Sequence, residues 1–288
     1  MSVEVWGMIG AGVAVLVAGL ILVRVRFREA SGVDKVLVLG PVFEAVALAI
    51  FAAEHFLAAR DLMGIVPRWL PAPLFWTYFV GVAWLAAAIS FIIWRHVRWS
   101  ATLTALMMLI IVITIDFPNV PKLLHQRIFW ILTVRETCFA GGAMVLAGSV
   151  WPREGPVRTA LIRVGRLIVA VVFVFYAIEH FLFPRNVPGV PLEKMIPAWW
   201  PAPVLLSYFV GIVLLVAGVG LLIRSTIRIA AAGSGMVLLL LTVFFYLPIF
   251  LMEMHTPLAV EGINYVGDTL LFAATALLVG FGADQSTV

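Results

Sequence analysis

Nine separate runs of apolar side chains, each close to the length that crosses a bilayer, constrain this chain more than any other feature. They fall at about 5–23, 36–58, 74–94, 101–117, 128–150, 162–183, 204–223, 229–251 and 266–282. A helix needs about 20 apolar residues to cross the hydrocarbon core, so nine spans use about 180 residues. The chain has 288, and little remains for a soluble domain. Hydrophobic residues make up 64% and charged residues 12%, against about half and about a quarter in soluble domains. A soluble globule, a disordered tail and a coiled coil are excluded. The expected class is an all-α integral membrane protein with nine transmembrane helices.

The first span is followed by Arg24, Arg26 and Arg28 rather than by a small-residue cleavage site. It reads as an anchor with a stop-transfer flank, not a cleaved signal peptide. Taken loop by loop, twelve of the nineteen basic residues belong to one side and seven to the other: Arg60, Arg68, Lys122, Arg127, Arg135, Arg185 and Lys194. The positive-inside bias places the richer side in the cytoplasm. The expected location is the cell (inner) membrane, with the N-terminus outside and the C-terminus cytoplasmic. The net charge of +4 mostly expresses this bias, so the bilayer is the expected partner and nucleic acid is not. The single cysteine, Cys138, excludes an intramolecular disulfide and an internal C-x-x-C relay. It reads as a small core residue.

After the first span the chain repeats itself. Glu54-His55-Phe56-Leu57 returns as Glu179-His180-Phe181-Leu182, and residues 67–81 (PRWLPAPLFWTYFVG) return as 197–211 (PAWWPAPVLLSYFVG). Pro118 and His125 return as Pro248 and His255, and Glu136-Thr137 as Asp268-Thr269. The expected domains are residues 1–32, an anchor helix with its basic loop; 33–152, a first four-helix unit; and 153–288, a second. Four is an even number, so both units enter the membrane in one orientation. They form parallel repeats about a pseudo-two-fold axis along the membrane normal. The Pro- and Trp-rich loops after the first helix of each unit, carrying Trp69 and Trp199, suit a membrane-surface collar or a lid over a lipid-soluble ligand.

The repeated polar residues define the candidate site. His55, His125, His180 and His255, with Glu54, Glu179, Glu136 and Asp268, are all expected at the outer boundary. Ionisable groups beside or inside a span usually face protein or water. Consecutive helical residues point about 100° apart, so a glutamate and the histidine after it face different neighbours. Glu44 lies ten residues before Glu54, about 15 Å deeper, and its counterpart is Val169. That depth suggests a proton path or an interhelical hydrogen bond. Asp116 and the adjacent Arg135–Glu136 pair, apart from the acid at 136, also mark the first unit. These residues equally suit capping and cross-linking of the bundle's end.

The E-H-F-L element, the P-A-P turn, the Y-F-V-G start of the next helix and the four-span unit together resemble the DoxX/DoxD-like membrane protein family, over about 40–150 and again 163–282. Fusion of two units and the added anchor depart from it. The resemblance implies a respiratory or thiol redox setting, since one branch is the membrane subunit of thiosulfate:quinone oxidoreductase. The first functional expectation is therefore a membrane subunit of a quinone-linked redox system, not an autonomous enzyme. His55 and His180 would hydrogen-bond the quinone oxygens, and Glu54, Glu179 and Glu44 would relay protons. His125 and His255 would guard the entrance. Glu136, Asp268, Trp69, Trp199, Tyr78 and Tyr208 would line and cover the ligand. No side chain here transfers electrons unaided, so a flavin, haem, metal or redox partner subunit is required. The alternatives are a carrier or receptor for a lipophilic ligand and a structural or assembly subunit. Haem or metal ligation by pairs such as His55 with His125 is the weakest, because the spacing matches no ligation motif.

Overall fold

A computed structural model describes residues 2–118, 126–152, 154–190 and 194–283. It is all-α: among the described residues there is no strand beyond one isolated bridge, Asn186 with Met195. Nine helical segments are long and apolar enough to cross a membrane. This chain is an integral, multi-pass membrane protein.

The anchor is α1 (Val3–Glu29). The first unit follows with α2 (Asp34–Leu37) leading into α3 (Gly40–Leu57), a short α4 (Ala59–Leu62), α5 (Pro73–Ile93), α6 (Val97–Ile111) and α7 (Arg127–Ser149). The second unit has α8 (Pro156–Leu182), α9 (Pro203–Leu222), α10 (Ile227–Leu241), α11 (Leu247–Glu253) and α12 (Ala259–Ala283). Burial is uneven. The central window of α12 is 89% buried and that of α1 only 22%, so α12 forms the axis of the molecule and α1 its lipid-facing margin.

Local features recur at matching registers for physical reasons. Pro73 and Pro203 open α5 and α9, where the missing N–H costs nothing. The alanine before each is left-handed, Ala72 at φ 55° and Ala202 at φ 48°. A π turn widens the third helix of each unit at Val112–Asp116 and Thr242–Tyr246. Pro118 and Pro248 sit two residues beyond these turns. Proline removes a donor and crowds the carbonyl four residues back, and the wider turn relieves that crowding. Gly81 and Gly211 let α5 and α9 approach the histidine turns: a Cβ there would lie 2.9 Å from the Cβ of His55 and 3.0 Å from that of His180. The glycine of the Y-F-V-G motif thus explains its pairing with E-H-F-L. The tyrosines pack there too, Tyr78 on Phe56 and Tyr208 on Phe181, with ring centroids 6.3 and 6.2 Å apart.

The units do not close on themselves. α3 packs along α12, and α8 packs along α7, so the first helix of each unit lies against the fourth helix of the other. The two fourth helices, α7 and α12, also pack together. Close approach depends on small residues. At the α7–α8 crossing a Cβ on Gly165 would sit 2.4 Å from the carbonyl oxygen of Gly141. At the α7–α12 crossing a Cβ on Gly142 would meet Thr275 Cγ2 at 2.9 Å. The anchor docks on α3 through a stripe of Val5, Met8, Gly12, Gly19 and Val23, spaced as a heptad seam.

Three expectations need correction. Arg135 does not belong to a connecting loop. It lies eight residues inside α7, so the boundary charge count overstated the basic residues of that side. Glu136 and Asp268, expected at the outer boundary, each lie nine residues into their helices, about 14 Å from the helix start. Finally, the two Pro/Trp loops differ. The first runs along the surface as α4 and a 3-10 turn, Met63–Ile65, with Ile65 exposed. The second dips inward, with Val187 and Val190 buried. Their sequences explain this. Ala59-Arg60-Asp61-Leu62 can continue a helix, whereas Pro184 and Pro188 forbid one and bring fewer N–H donors to bury.

Replacing Gly165 by alanine forces α7 and α8 apart at a backbone contact. Overpacking of this kind costs about 1–3 kcal/mol. The expected result is a clear fall in the thermal unfolding midpoint in detergent, with Gly233→Ala, which meets nothing within 4 Å, leaving it unchanged.

Candidate functional site

The histidine-bearing ends of both units lie at one end of the molecule, tied together by side chains from the fourth helices. Glu54 accepts a hydrogen bond from Asn264 Nδ2 of α12 at 2.8 Å. Glu179 pairs with Arg127 of α7 at 2.8 Å, and the Arg127 guanidinium also lies over the Phe183 ring, 4.3 Å from its centroid. Each glutamate of the repeated motif therefore binds the other unit's fourth helix. The cross-packing of α3 with α12 and α8 with α7 places them there.

Between these contacts sits Arg135. Its Nη1 donates to Asp268 Oδ2 at 2.5 Å, and its Nε and Nη2 donate to Glu136 Oε1 at 3.2 and 2.8 Å. The group bridges α7 and α12 well inside the bundle. Asp116, at the end of the first π turn, lies in the field of both Glu136 and Arg135, and Glu54 lies in that of Asp268. Around this centre are buried tyrosines. Tyr176 donates to the Ile131 carbonyl at 2.9 Å, and Tyr246 stacks on Tyr265 at 5.7 Å. Arginine in a dry interior requires carboxylate partners, and the two fourth helices supply one each.

The histidines differ. In each, Nδ1 bonds the carbonyl four residues back, His55 to Phe51 at 2.8 Å and His180 to Tyr176 at 2.5 Å. Because a carbonyl only accepts, Nδ1 carries the proton and Nε2 of the neutral ring is an acceptor. His180 is fully buried and its Nε2 accepts from the Gly189 N–H at 2.9 Å. Tyr246 donates to the carbonyl of Pro188 at 2.5 Å. Gly189 holds φ +96° beside Leu238, Leu241 and Thr269, a conformation side chains rarely adopt. The inserted loop is thus pinned at two successive residues, and Lys194 fastens its far end to Glu253 at 2.9 Å and Glu261 at 3.2 Å.

The first unit has the same frame without the inserted loop. Gly64, the counterpart of Gly189, meets nothing within 4 Å. Asp116 stands where Tyr246 stands, and its Oδ2 is buried without a hydrogen-bond partner. Glu44 is only 1% exposed, and its Oε2 also has none. Eleven residues separate Glu44 from His55, close to three full turns, so both lie on one face of α3.

The remaining candidate residues fall elsewhere. Trp69, Trp199, Tyr78 and Tyr208 are exposed on the outside of the bundle. The inward tryptophan is Trp200, edge-on to Phe245 at 4.8 Å. His255 is exposed in the turn after α11. His125 lies outside the described residues. Among the described residues no group of three or more His, Cys, Asp or Glu side chains is placed to hold a metal. Arg135, Asn264, Asp116, Tyr176 and Tyr246 are the site residues that sequence reasoning passed over or left unplaced. An arginine eight residues into an apolar run was the available signal.

Fold and site define a multi-pass α-helical membrane protein with a buried ionic centre that joins α7 to α12. A domain of unknown function, DUF8561, matches residues 44–124, which run from α3 past α6. No curated protein and no solved structure matches the chain significantly.

Removing the guanidinium strands two buried carboxylates. Arg135→Gln is expected to cost about 3–5 kcal/mol, read as loss of monodisperse protein or a large fall in unfolding midpoint. Replacing Arg135, Glu136 and Asp268 together by Met, Leu and Leu is expected to restore most of that stability, because no buried charge is then left alone.

Proposed function

We propose that this protein is a membrane subunit of a quinone-linked redox system, in the manner of the DoxX/DoxD-like family it resembles, and that it binds a quinone or similar lipophilic ligand in its first unit. The positive-inside bias turns the histidine-bearing end outward in the cell membrane. The observation that carries this reading is the difference between the units. The second unit fills the space beside His180 and Tyr246 with its own loop. The first leaves one oxygen of the half-buried Asp116 and one of the buried Glu44 without a hydrogen-bond partner. Buried polar atoms without partners are rare and point to function. An apolar ligand with a polar ring enters such a site from the bilayer. The redox reading requires a partner or prosthetic group to carry electrons.

The engagement of both His180 ring nitrogens by backbone favours a second reading, a non-enzymatic carrier or assembly subunit. The repeated histidine then serves structure in one unit and ligand binding in the other.

The purified protein in nanodiscs is expected to bind one decyl-substituted benzoquinone analogue per chain, as oxidised or reduced form. Asp116→Tyr, which copies the second unit, should abolish binding, and Tyr246→Phe should preserve it. Absence of binding by either form would defeat the ligand reading. Binding with no change in membrane quinone reduction on His55→Ala would favour the carrier.

A further inference from the structure

The inserted loop of the second unit shows which hydrogen-bonding partners this frame accepts. There, His180 Nε2 takes a proton donor, the Gly189 N–H, and Tyr246 gives a donor to the Pro188 carbonyl. The frame thus presents one acceptor and one donor to its occupant.

The first unit changes that balance. His55 keeps the same Nδ1 contact, to Phe51, so the neutral ring again offers Nε2 as an acceptor. At the π turn, Asp116 replaces Tyr246, and a carboxylate only accepts. Asp116 stands to Glu136 as Tyr246 stands to Asp268, each within the other's field, so the exchange preserves place while reversing polarity. Glu44, with one buried oxygen unpartnered, lies deeper on the His55 face of α3, in place of the apolar Val169. The nearest cation, Arg135, directs Nε, Nη1 and Nη2 at Glu136 and Asp268.

We infer that the first unit recognises a ligand by the hydrogen atoms it donates, and that within a quinone couple it selects the quinol. This rests on the reading that the ligand is quinone-like. A quinol carries two O–H donors on an apolar ring. Its quinone carries only acceptors, which would face His55 Nε2 and Asp116 with their lone pairs opposed and unpaired. A buried acceptor left without a donor loses its hydration with nothing in return. Selection acts on the head group, so the tail length is immaterial.

The test uses the full chain in nanodiscs, anaerobically, with three probes: a decyl-substituted benzoquinol, its quinone and its dimethyl ether. The quinol is expected to bind about tenfold or more tightly than the other two, the scale of one charge-assisted hydrogen bond. Asp116→Asn, which turns one acceptor into a mixed donor and acceptor, is expected to reduce that preference severalfold. Tyr246→Phe should leave it intact. Equal binding of all three probes, or tighter binding of the quinone, overturns the inference while sparing the quinone-like reading. Failure of every probe overturns both. Should Asp116→Asn not fold, the comparison of probes on the unaltered chain decides alone.

Discussion

A guanidinium held between two carboxylates, inside a bundle and away from water, is the contact on which this structure depends. Arg135 joins α7 to α12 through Glu136 and Asp268. Each of these three charges would be costly alone in a dry interior. Together they can exist only if the two fourth helices stay in register. Small residues at the crossing, Gly142 against Thr275, bring the backbones close enough for that register to hold. The ionic group therefore fixes the relation between the units rather than adding a large net stability. Buried ionic groups of this kind suffer more from partial than from whole removal, because a lone charge is then left without a partner.

From that register the rest of the site follows. With α7 and α12 paired at the centre, α3 lies on α12 and α8 lies on α7. Glu54 and Glu179 then reach partners on the opposite unit. The repeated motif works as a cross-brace: the glutamate turns to the neighbouring unit, and the histidine turns back to its own chain and to the glycine of the next helix. Two consecutive residues can do both because they diverge by about 100°. The prolines beyond the third helices follow the π turns that end in residue 116 and residue 246, and in the second unit Tyr246 and His180 hold successive residues of one loop.

Much of this was legible in the sequence. The nine apolar runs locate the spans because a bilayer allows no other economical answer for so apolar a chain. The tandem motifs mark the histidine turns, and the sequence alone shows that Glu44 has no acidic counterpart at Val169. What escaped is the pairing across units, since a repeat reveals equivalence and not adjacency. Arg135 was misplaced by counting it with the loops, although it sits within an apolar run. The fates of the two loops were encoded in Pro184 and Pro188 against Ala59-Arg60-Asp61-Leu62, but reading them requires knowing which helices each loop meets. Trp69 and Trp199 looked alike in the motif, yet both face outward, and Trp200 turns in beside Phe245.

A duplicated unit need not be used twice. In the second unit the histidine and the π-turn residue bind the chain's own backbone, and an extended segment with two prolines and a left-handed glycine completes the packing. The first half keeps the same helices but has an outward loop, an aspartate for a tyrosine and a buried glutamate for a valine. Two of these three changes leave a buried carboxyl oxygen without a hydrogen-bond partner. The two halves are braced against each other through Arg135, Glu54 and Glu179. The two halves are therefore alike in their helices and unlike in what completes them: the second by its own buried loop, the first by a surface loop, with Asp116 and Glu44 in place of Tyr246 and Val169.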